Sequence, residues 1–307
     1  MSLYRHSLAL AFGFALVACF AGCAAAADLW TDNFEAAKAQ AKTEGKDLLL
    51  DFTGSDWCSW CVRLKDEVFG TDKFKAEAPK KFVLVEVDFP RSKTLAEAVK
   101  KQNDALQQQF GIRGFPTIVL LDSEGRIYAK TGYQEGGAEA YLKHLDDLQK
   151  IRTERDKLLA ESAKAPDIER AKLLDKVIQM LAANGVGPMD NRAWVEEIIN
   201  LDAKNEAGLK IKYEKMLRLT EIEQLAGAEK FGEAAKAIDK VMADFKLAGQ
   251  EAQNVLFFKG VCLFRSGAKE GAKEGAKAAL QAALDAAPES SKAETIRKAI
   301  ASLDQQK

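Results

Sequence analysis

The chain has 307 residues, a length sufficient for two domains. Its 45 lysine and arginine residues face 46 aspartate and glutamate residues, and the resulting net charge of −1 gives no electrostatic basis for binding nucleic acid. The charges are abundant and mixed in sign, as is typical of soluble helical surfaces, so we expect no nucleic-acid partner.

Residues 1–27 have the pattern of a secretory signal peptide. The apolar segment 8–20 is too short to span a bilayer, and the alanines at 25–27 supply a small-residue cleavage pattern. Cys19 and Cys23 each follow a sequence that resembles a lipobox, so a lipid anchor through one of them is the alternative to simple cleavage. Either interpretation places the mature chain outside the cytoplasm, in the periplasm, where disulfide chemistry is useful.

The first predicted elements are a helix and a strand. Residues 32–35, Asp-Asn-Phe-Glu, have the pattern of a capping box, and the helix that they open ends near Gly45. The apolar run Leu48–Phe52 has the length of a buried strand. A turn at 53–56 then leads into the segment that carries the candidate chemistry.

Two cysteines, Cys58 and Cys61, follow this turn with C-x-x-C spacing, where the apolar pattern changes from strand to helix. The unsatisfied N–H groups and the positive end of the dipole at a helix start stabilise a thiolate and lower its pKa. The thiolate is the attacking species in disulfide exchange. We therefore predict that Cys58 is the nucleophile and that Cys61, one turn later and more enclosed, is the resolving thiol.

Other interpretations of a C-x-x-C pair fit the chain less well. Half of a zinc site has the same spacing, but no second cysteine pair follows in the mature sequence, so we expect no metal. A purely structural disulfide is the other alternative, and so short a loop would constrain little of the unfolded state.

The next segments alternate between helix and strand. A short helix is predicted over 71–78, stopped by Pro79, and a strand over 82–88. Residues 92–110 have a helical pattern of unusual polarity. We interpret it as an ordinary helix with a solvated face, and a surface that contacts a partner is the alternative.

A second motif lies at 111–121, where Pro116 stands at the start of an apolar strand, a place that tolerates proline. Together with the segment 57–61, Trp-Cys-Ser-Trp-Cys, it resembles the thioredoxin superfamily over about residues 28–150, and the lead-in resembles secreted bacterial thioredoxin-like proteins. The resemblance implies an α/β fold with a central mixed sheet flanked by helices, a redox disulfide Cys58–Cys61, and a cis-proline that faces the cysteines.

Three features depart from the family pattern. Asp51 fits the buried acid that family members often carry, and as a general base for Cys61 it would need a pKa raised by burial, but one extra residue separates it from Cys58. The strand 82–88 lacks the lysine that thioredoxins tend to place near this acid, which leaves Asp51 without an obvious cationic neighbour. The dipeptide between the cysteines is Ser-Trp, neither the Gly-Pro of thioredoxins nor the Gly-His of disulfide isomerases. Because this dipeptide strongly affects the redox potential, the motif leaves the direction of electron flow open.

The resemblance also implies a shallow apolar groove for the substrate chain beside the cysteines. We assign substrate binding to Trp57, Trp60, Phe115, Pro116 and Thr117. For Trp60, simple packing against the protein is an open alternative. No cofactor is expected.

A second strand is predicted over 127–133 and a helix from about 138, after which the pattern changes. Beyond residue 150 strand-like runs disappear and apolar residues recur at helical spacing. We therefore expect a thioredoxin-like domain over 28–150 and an all-α domain of helical hairpins over 151–307.

The last part of the chain weakly resembles a tetratricopeptide repeat, and a generic helical bundle is the alternative. The Gly-Ala-Lys-Glu repeats at 267–277 are interpreted as a solvated, weak helix or loop rather than a lysine-based binding patch. Cys262 lies in an apolar helical run and is predicted to be an inert, buried thiol.

The sequence thus predicts an extracytoplasmic thiol–disulfide oxidoreductase that acts on protein disulfides through Cys58 and Cys61, with reduction or isomerisation favoured over oxidation. Its partners would be protein thiols and disulfides, an electron donor or acceptor protein, and a protein docked on the C-terminal helices. The rival is a non-catalytic adaptor or Cu(I) chaperone on a thioredoxin scaffold, in which two thiolates hold the metal and the helical repeats bind partners.

Overall fold

The computed structural model describes residues 29–267 and 271–305. The predicted signal peptide, with Cys19 and Cys23, lies outside the described residues, as does the segment 268–270 of the Gly-Ala-Lys-Glu repeats. Within the described ranges, no helix combines the length and the apolar character needed to cross a membrane.

Five strands form one mixed sheet in the order β1-β3-β2-β4-β5. Strands β1 and β2 pair with β3 in parallel, whereas β4 pairs with β2 and β5 with β4 in antiparallel register. Every residue of β2 is buried, because this apolar run lies at the centre of the sheet. The strands are β1 Trp30–Thr31, β2 Asp47–Thr53, β3 Phe82–Asp88, β4 Thr117–Leu121 and β5 Ile127–Thr131.

Helices surround this sheet and then continue alone, so the predicted fold class is confirmed. The helices are α1 Phe34–Glu44, α2 Ser59–Leu64, α3 Asp72–Glu77, α4 Glu97–Gln109, α5 Gly137–Ser162, α6 Asp167–Ala182, α7 Arg192–Leu201, α8 Leu209–Gly227, α9 Phe231–Asp244, α10 Gly249–Arg265, α11 Ala272–Ala286 and α12 Ala293–Gln305. A π-helical turn, Lys65–Phe69, extends α2, and short 3₁₀ turns lie at Ala78–Lys80 and Pro188–Asn191.

Two predicted helix starts are wrong in detail. The cap of α1 is Asn33, whose side chain accepts a hydrogen bond from the Ala36 amide, rather than Asp32. Helix α4 begins at Glu97 instead of Ser92, because the amide and hydroxyl of Ser92 donate to the Asp56 carboxylate and hold that segment as a loop. Strand β5 likewise ends at Thr131, two residues before its predicted end.

Helix α5 runs without a break across the predicted domain boundary at residue 150. Two ionic contacts to buried carboxylates hold it against the sheet. The guanidinium of Arg155, which is fully buried, donates to Asp122, and Arg152 donates to the buried Asp47 carboxylate. The position of the boundary remains a prediction, and the chain has no structural break at that point.

Helix α6 belongs to the same hydrophobic core as the sheet. Val177, Leu181 and Val186 are fully buried in a cluster that also contains the residues of β2 and β4. The backbone amide of Lys130 donates to the Asn184 carbonyl at 2.9 Å, which joins β5 to the end of α6. Part of the helical region is therefore needed to close the core of the sheet.

The later helices pack in sequence, each against the next. One apolar cluster joins α6, α7 and α8, a second joins α8, α9 and α10, and a third joins α10, α11 and α12. A Cβ atom on Gly260 would lie 2.8 Å from the Leu280 side chain, so α10 and α11 approach closely at this glycine. Cys262 is buried as predicted, and burial raises the pKa of its thiol.

The shared core predicts a difference between two leucine substitutions. Leu181→Ala should create a cavity next to the sheet, cost about 2–5 kcal/mol, and lower the hydrogen-exchange protection of β4 and β5 amides. Leu280→Ala, a matched change in the last cluster, should leave that protection unchanged. Equal protection of the sheet in the two variants would contradict the shared core.

Candidate active site

The two cysteines lie at the junction between the end of β2 and the start of α2. The Cys58 amide donates to the Gly54 carbonyl at 2.9 Å, which closes the turn after the strand. Cys58 is the N-cap of α2, and its Sγ accepts a hydrogen bond from the Cys61 amide at 3.2 Å. This N–H also donates to the Cys58 carbonyl at 3.0 Å, and its contact with the sulfur at the helix start favours a thiolate on Cys58 once the pair is reduced.

Cys58 and Cys61 form a disulfide, with their Cα atoms 5.2 Å apart. In this oxidised state Cys58 is 7% exposed and Cys61 4%. Both residues are thus buried in the disulfide form, and Cys58 at the helix cap is slightly the more exposed of the two. The roles of Cys58 as attacking thiol and Cys61 as resolving thiol remain predictions.

One side of the disulfide is bordered by aromatic rings. Trp57 is 38% exposed and meets the ring of Phe115 edge-on, with the centroids 5.7 Å apart. Its indole Nε1 donates to the Phe89 carbonyl at 2.7 Å, and the Arg91 guanidinium lies 4.1 Å from the ring centroid. The Trp57 indole also covers Gly54, where a Cβ atom would come within 2.5 Å of it. Trp57 is therefore held rigidly beside Cys58.

The loop before β4 forms the adjoining wall. The peptide between Phe115 and Pro116 is cis, as the resemblance implied. Thr117 pairs with Phe52 at the end of β2, and its hydroxyl donates to the Gly114 carbonyl at 2.8 Å. This pairing brings the loop to the same edge of the sheet as the cysteine turn, so four of the five predicted substrate contacts lie together here.

The fifth, Trp60, lies on the other side of the helix start and is 51% exposed. Its ring contacts Tyr133 at 5.2 Å, and the Arg63 guanidinium lies over both rings. Glu67 completes the cluster, because it accepts hydrogen bonds from Arg63 at 2.7 Å and from the Tyr133 hydroxyl at 2.5 Å. Sequence analysis missed this cluster, although Arg63 and Glu67 have the i, i+4 spacing of a helical ion pair.

Asp51 is buried in β2 and borders a cavity of ≈ 430 Å³. Its Oδ1 atom has no hydrogen-bond partner. Burial, together with the smaller effect of the negative charges of Glu86 and Asp88 on β3, raises the pKa of this carboxyl to about 8. Glu86 is the direct neighbour of Asp51 in the parallel register, and burial raises its pKa as well.

The expectation that Asp51 has no cationic neighbour is wrong. Lys65 borders the same cavity, and its charge acts to lower the Asp51 pKa, although burial outweighs it. The lysine comes from the helix and not from the strand 82–88, which is why the strand pattern missed it. Lys65 follows Cys61 by four residues, so the two side chains share one helix face.

Across the described ranges 29–267 and 271–305, no group of three or more histidine, cysteine, aspartate or glutamate side chains is arranged to hold a metal ion. His144, the histidine within these ranges, contacts the Thr131 hydroxyl at 2.9 Å, and burial lowers its pKa.

Comparison with known proteins agrees with this geometry. Residues 34–149 match the family described as thioredoxin-like domain. Disulfide bond reductase DsbH of Chlamydia pneumoniae is 36% identical over 128 residues, which are 42% of this chain and 77% of the relative. Thioredoxin-related protein DsbJ of the same organism is 31% identical over 127 residues, which are 39% of this chain and only 36% of that relative.

A solved structure of DsbH Oxidoreductase is 35% identical and covers 39% of this chain and 83% of that chain, with a TM-score of 0.38. The identity to the DsbH relative, extending over most of that protein, establishes the family. The chain belongs to the thioredoxin-like proteins.

Proposed function

We propose that this chain is a disulfide reductase that acts on protein substrates outside the cytoplasm. Its class, thiol–disulfide oxidoreductase, follows from the Cys58–Cys61 pair and from relatives named disulfide bond reductase and thiol:disulfide interchange protein. The observation that carries the proposal is the placement of this disulfide at a helix cap, between exposed aromatic side chains. The secretory pattern of residues 1–27 supports a periplasmic location.

In the proposed reaction the reduced enzyme supplies two electrons. The Cys58 thiolate attacks one sulfur of the substrate disulfide, the substrate S–S bond breaks, and one substrate sulfur leaves as a thiolate that takes up a proton. Cys61 then attacks the mixed disulfide, forms the Cys58–Cys61 bond and releases the second substrate thiolate. A separate donor protein would reduce the enzyme again.

Asp51 would accept the proton that Cys61 must lose before it attacks. Its raised pKa suits a general base that works near neutral pH. Lys65 follows Cys61 by one helical turn and borders the Asp51 cavity, which supports placing the carboxyl near the helix that carries the thiol.

The substrate chain would lie across Trp57, Phe115, Pro116 and Thr117. The ring contact between Trp57 and Phe115 supports this placement, because it makes one apolar surface beside Cys58. Trp60 would contact a partner from the opposite side, where half of its surface is free.

Substitution of each cysteine tests the two roles. Cys58→Ala should abolish the reduction of insulin disulfides, because no attacking sulfur remains. Cys61→Ser should accumulate a covalent enzyme–substrate disulfide, because the resolving sulfur is gone, and a non-reducing gel detects it. Full insulin turnover by Cys58→Ala would remove the assignment.

The Asp51 proposal predicts a pH dependence of the resolving step. Only the ionised carboxylate accepts a proton, so the single-turnover rate of release from the mixed disulfide should rise as pH passes through about 8. Glu86→Gln removes a negative neighbour and should move this rise to lower pH, whereas Lys65→Met should move it to higher pH. Asp51→Asn should lack the rise.

Stability provides an independent measurement of the same group. The folded chain keeps a proton on Asp51 up to about 8, whereas the unfolded chain loses it near the model-compound value of 3.8. The free energy of unfolding contributed by this group therefore falls as pH rises between these values, and Asp51→Asn should not show that fall. A Glu86→Gln profile identical to that of Glu289→Gln, an exposed control, would contradict the coupling.

The direction of electron flow is tested by the equilibrium potential against glutathione. A reductase should have a potential near that of thioredoxin, about −270 mV, rather than near the strong oxidant value of about −120 mV. A value at the oxidant end would overturn reduction in favour of disulfide formation and leave the cysteine roles intact.

A further inference from the structure

A cleft lies between the redox domain and the later helices. One side is Arg113, in the loop that leads to the cis-proline, and the other side belongs to α8, α9 and α10. Its volume is ≈ 380 Å³. We name it the Arg113 cleft, and the residues that matter below are Arg113, Glu223, Gly227, Phe231, Phe258 and Arg265.

The Arg113 cleft begins next to the proposed substrate groove. Arg113 precedes Phe115 by two residues, and the Phe115 ring contacts Trp57, the neighbour of Cys58. An extended polypeptide advances about 3.3–3.6 Å per residue. A substrate chain that crosses Phe115 therefore reaches Arg113 within a few residues of its cysteine.

The charged groups of the cleft favour an acidic ligand. Two guanidinium groups, those of Arg113 and Arg265, face one carboxylate, that of Glu223. Within the described residues neither arginine has an ion-pair partner; Arg265 lies 6.0 Å from the centroid of the Phe231 ring. Arginine binds carboxylates through two parallel hydrogen bonds, so an acidic side chain matches this pair.

The apolar part of the cleft has room for a side chain. Phe231 and Phe258 are partly buried in the cluster that joins α8, α9 and α10, and their remaining surface borders the cleft. A Cβ atom on Gly227 would meet no atom within 4 Å, so the wall of α8 is open at this position. The surface thus offers aromatic contacts beside the two arginines.

We propose that the Arg113 cleft binds an acidic, extended segment of the substrate protein, the protein whose disulfide Cys58 attacks. This inference rests on the proposed function and deepens it, because it assigns a sequence preference to the substrate. The helical region would select substrates by contacting residues near the cysteine rather than the disulfide itself.

A neighbouring cavity limits how far along the substrate chain the preference for acidic side chains extends. It measures ≈ 360 Å³ and shares Phe231 and Arg265 with the Arg113 cleft. Its acids, Glu229 and Glu233, balance the charges of Lys230 and Arg265, so this cavity has no excess of positive charge. An acidic side chain of the substrate is therefore favoured in the Arg113 cleft, within a few residues of the substrate cysteine, and not in the neighbouring cavity.

Peptides that carry one activated cysteine provide the test. Each peptide has eleven residues, and its central cysteine is disulfide-linked to 5-thio-2-nitrobenzoate. One position, two to five residues to either side of the cysteine, is glutamate, alanine or lysine. Reduced full-length enzyme reacts in a single turnover: Cys58 bonds to the peptide sulfur, the nitrobenzoate thiolate leaves and is measured by absorbance, and Cys61 then releases the peptide thiolate. For each enzyme, the rate constant with a peptide is divided by the rate constant of the same enzyme with 5,5′-dithiobis(2-nitrobenzoate).

The wild-type enzyme should react about fivefold faster with the best glutamate peptide than with its lysine counterpart, as expected for charge complementarity at a partly exposed site. Arg113→Glu and Arg265→Glu should each remove or reverse this preference. Lys240→Glu makes the same charge change on an exposed residue of α9 and should retain it. Gly227→Leu, which fills the open wall, should slow glutamate and lysine peptides alike.

The outcomes separate this inference from the proposed function. Equal rates of the wild-type enzyme with glutamate and lysine peptides at every position would overturn the acidic-segment proposal. A preference for glutamate that both arginine variants retain would also overturn it. So would a loss of the preference in Lys240→Glu as large as the loss in the arginine variants. If the reduced wild-type enzyme does not react even with 5,5′-dithiobis(2-nitrobenzoate), the proposed reductase activity itself fails.

Discussion

The burial of β2 determines where the chemistry of this protein takes place. The strand lies between β3 and β4, and all seven of its residues are buried. A shift of one residue would turn its side chains to the opposite faces of the sheet, so the register is strongly specified. The end of the strand, the turn and Cys58 therefore have a fixed position, at the edge where the loop before β4 carries Phe115 and Pro116.

Two electrostatic environments meet around this turn. Cys58 caps a helix, where backbone N–H groups favour a negative sulfur. Asp51 lies in the opposite situation, because burial and the neighbouring Glu86 disfavour its negative charge. The two environments thus favour an ionised Cys58 sulfur in the reduced pair and disfavour an ionised Asp51, and Lys65 moderates the second effect without cancelling it.

The helical region follows the redox domain without a structural break, and the two regions share a hydrophobic core. Helix α5 carries Arg155 into a buried contact with Asp122, and α6 contributes Leu181 to the core of the sheet. Such packing fixes the first helices relative to the sheet, and the successive clusters carry that placement on to α10. The Arg113 cleft is a consequence of this chain of contacts.

The sequence by itself determined the central strands, the cysteine pair, the proline before β4 and the helical second half, because these follow from short-range periodicity and motifs. The mixed sheet followed from the family resemblance that the two motifs carry. It misplaced the start of α4, since the bond between Ser92 and Asp56 joins two separate loops. Lys65 beside Asp51, the cluster of Trp60 with Tyr133, and the cleft at Arg113 were likewise decided only by the tertiary structure. Each brings together side chains from separate elements, and local sequence patterns carry no information about such distances.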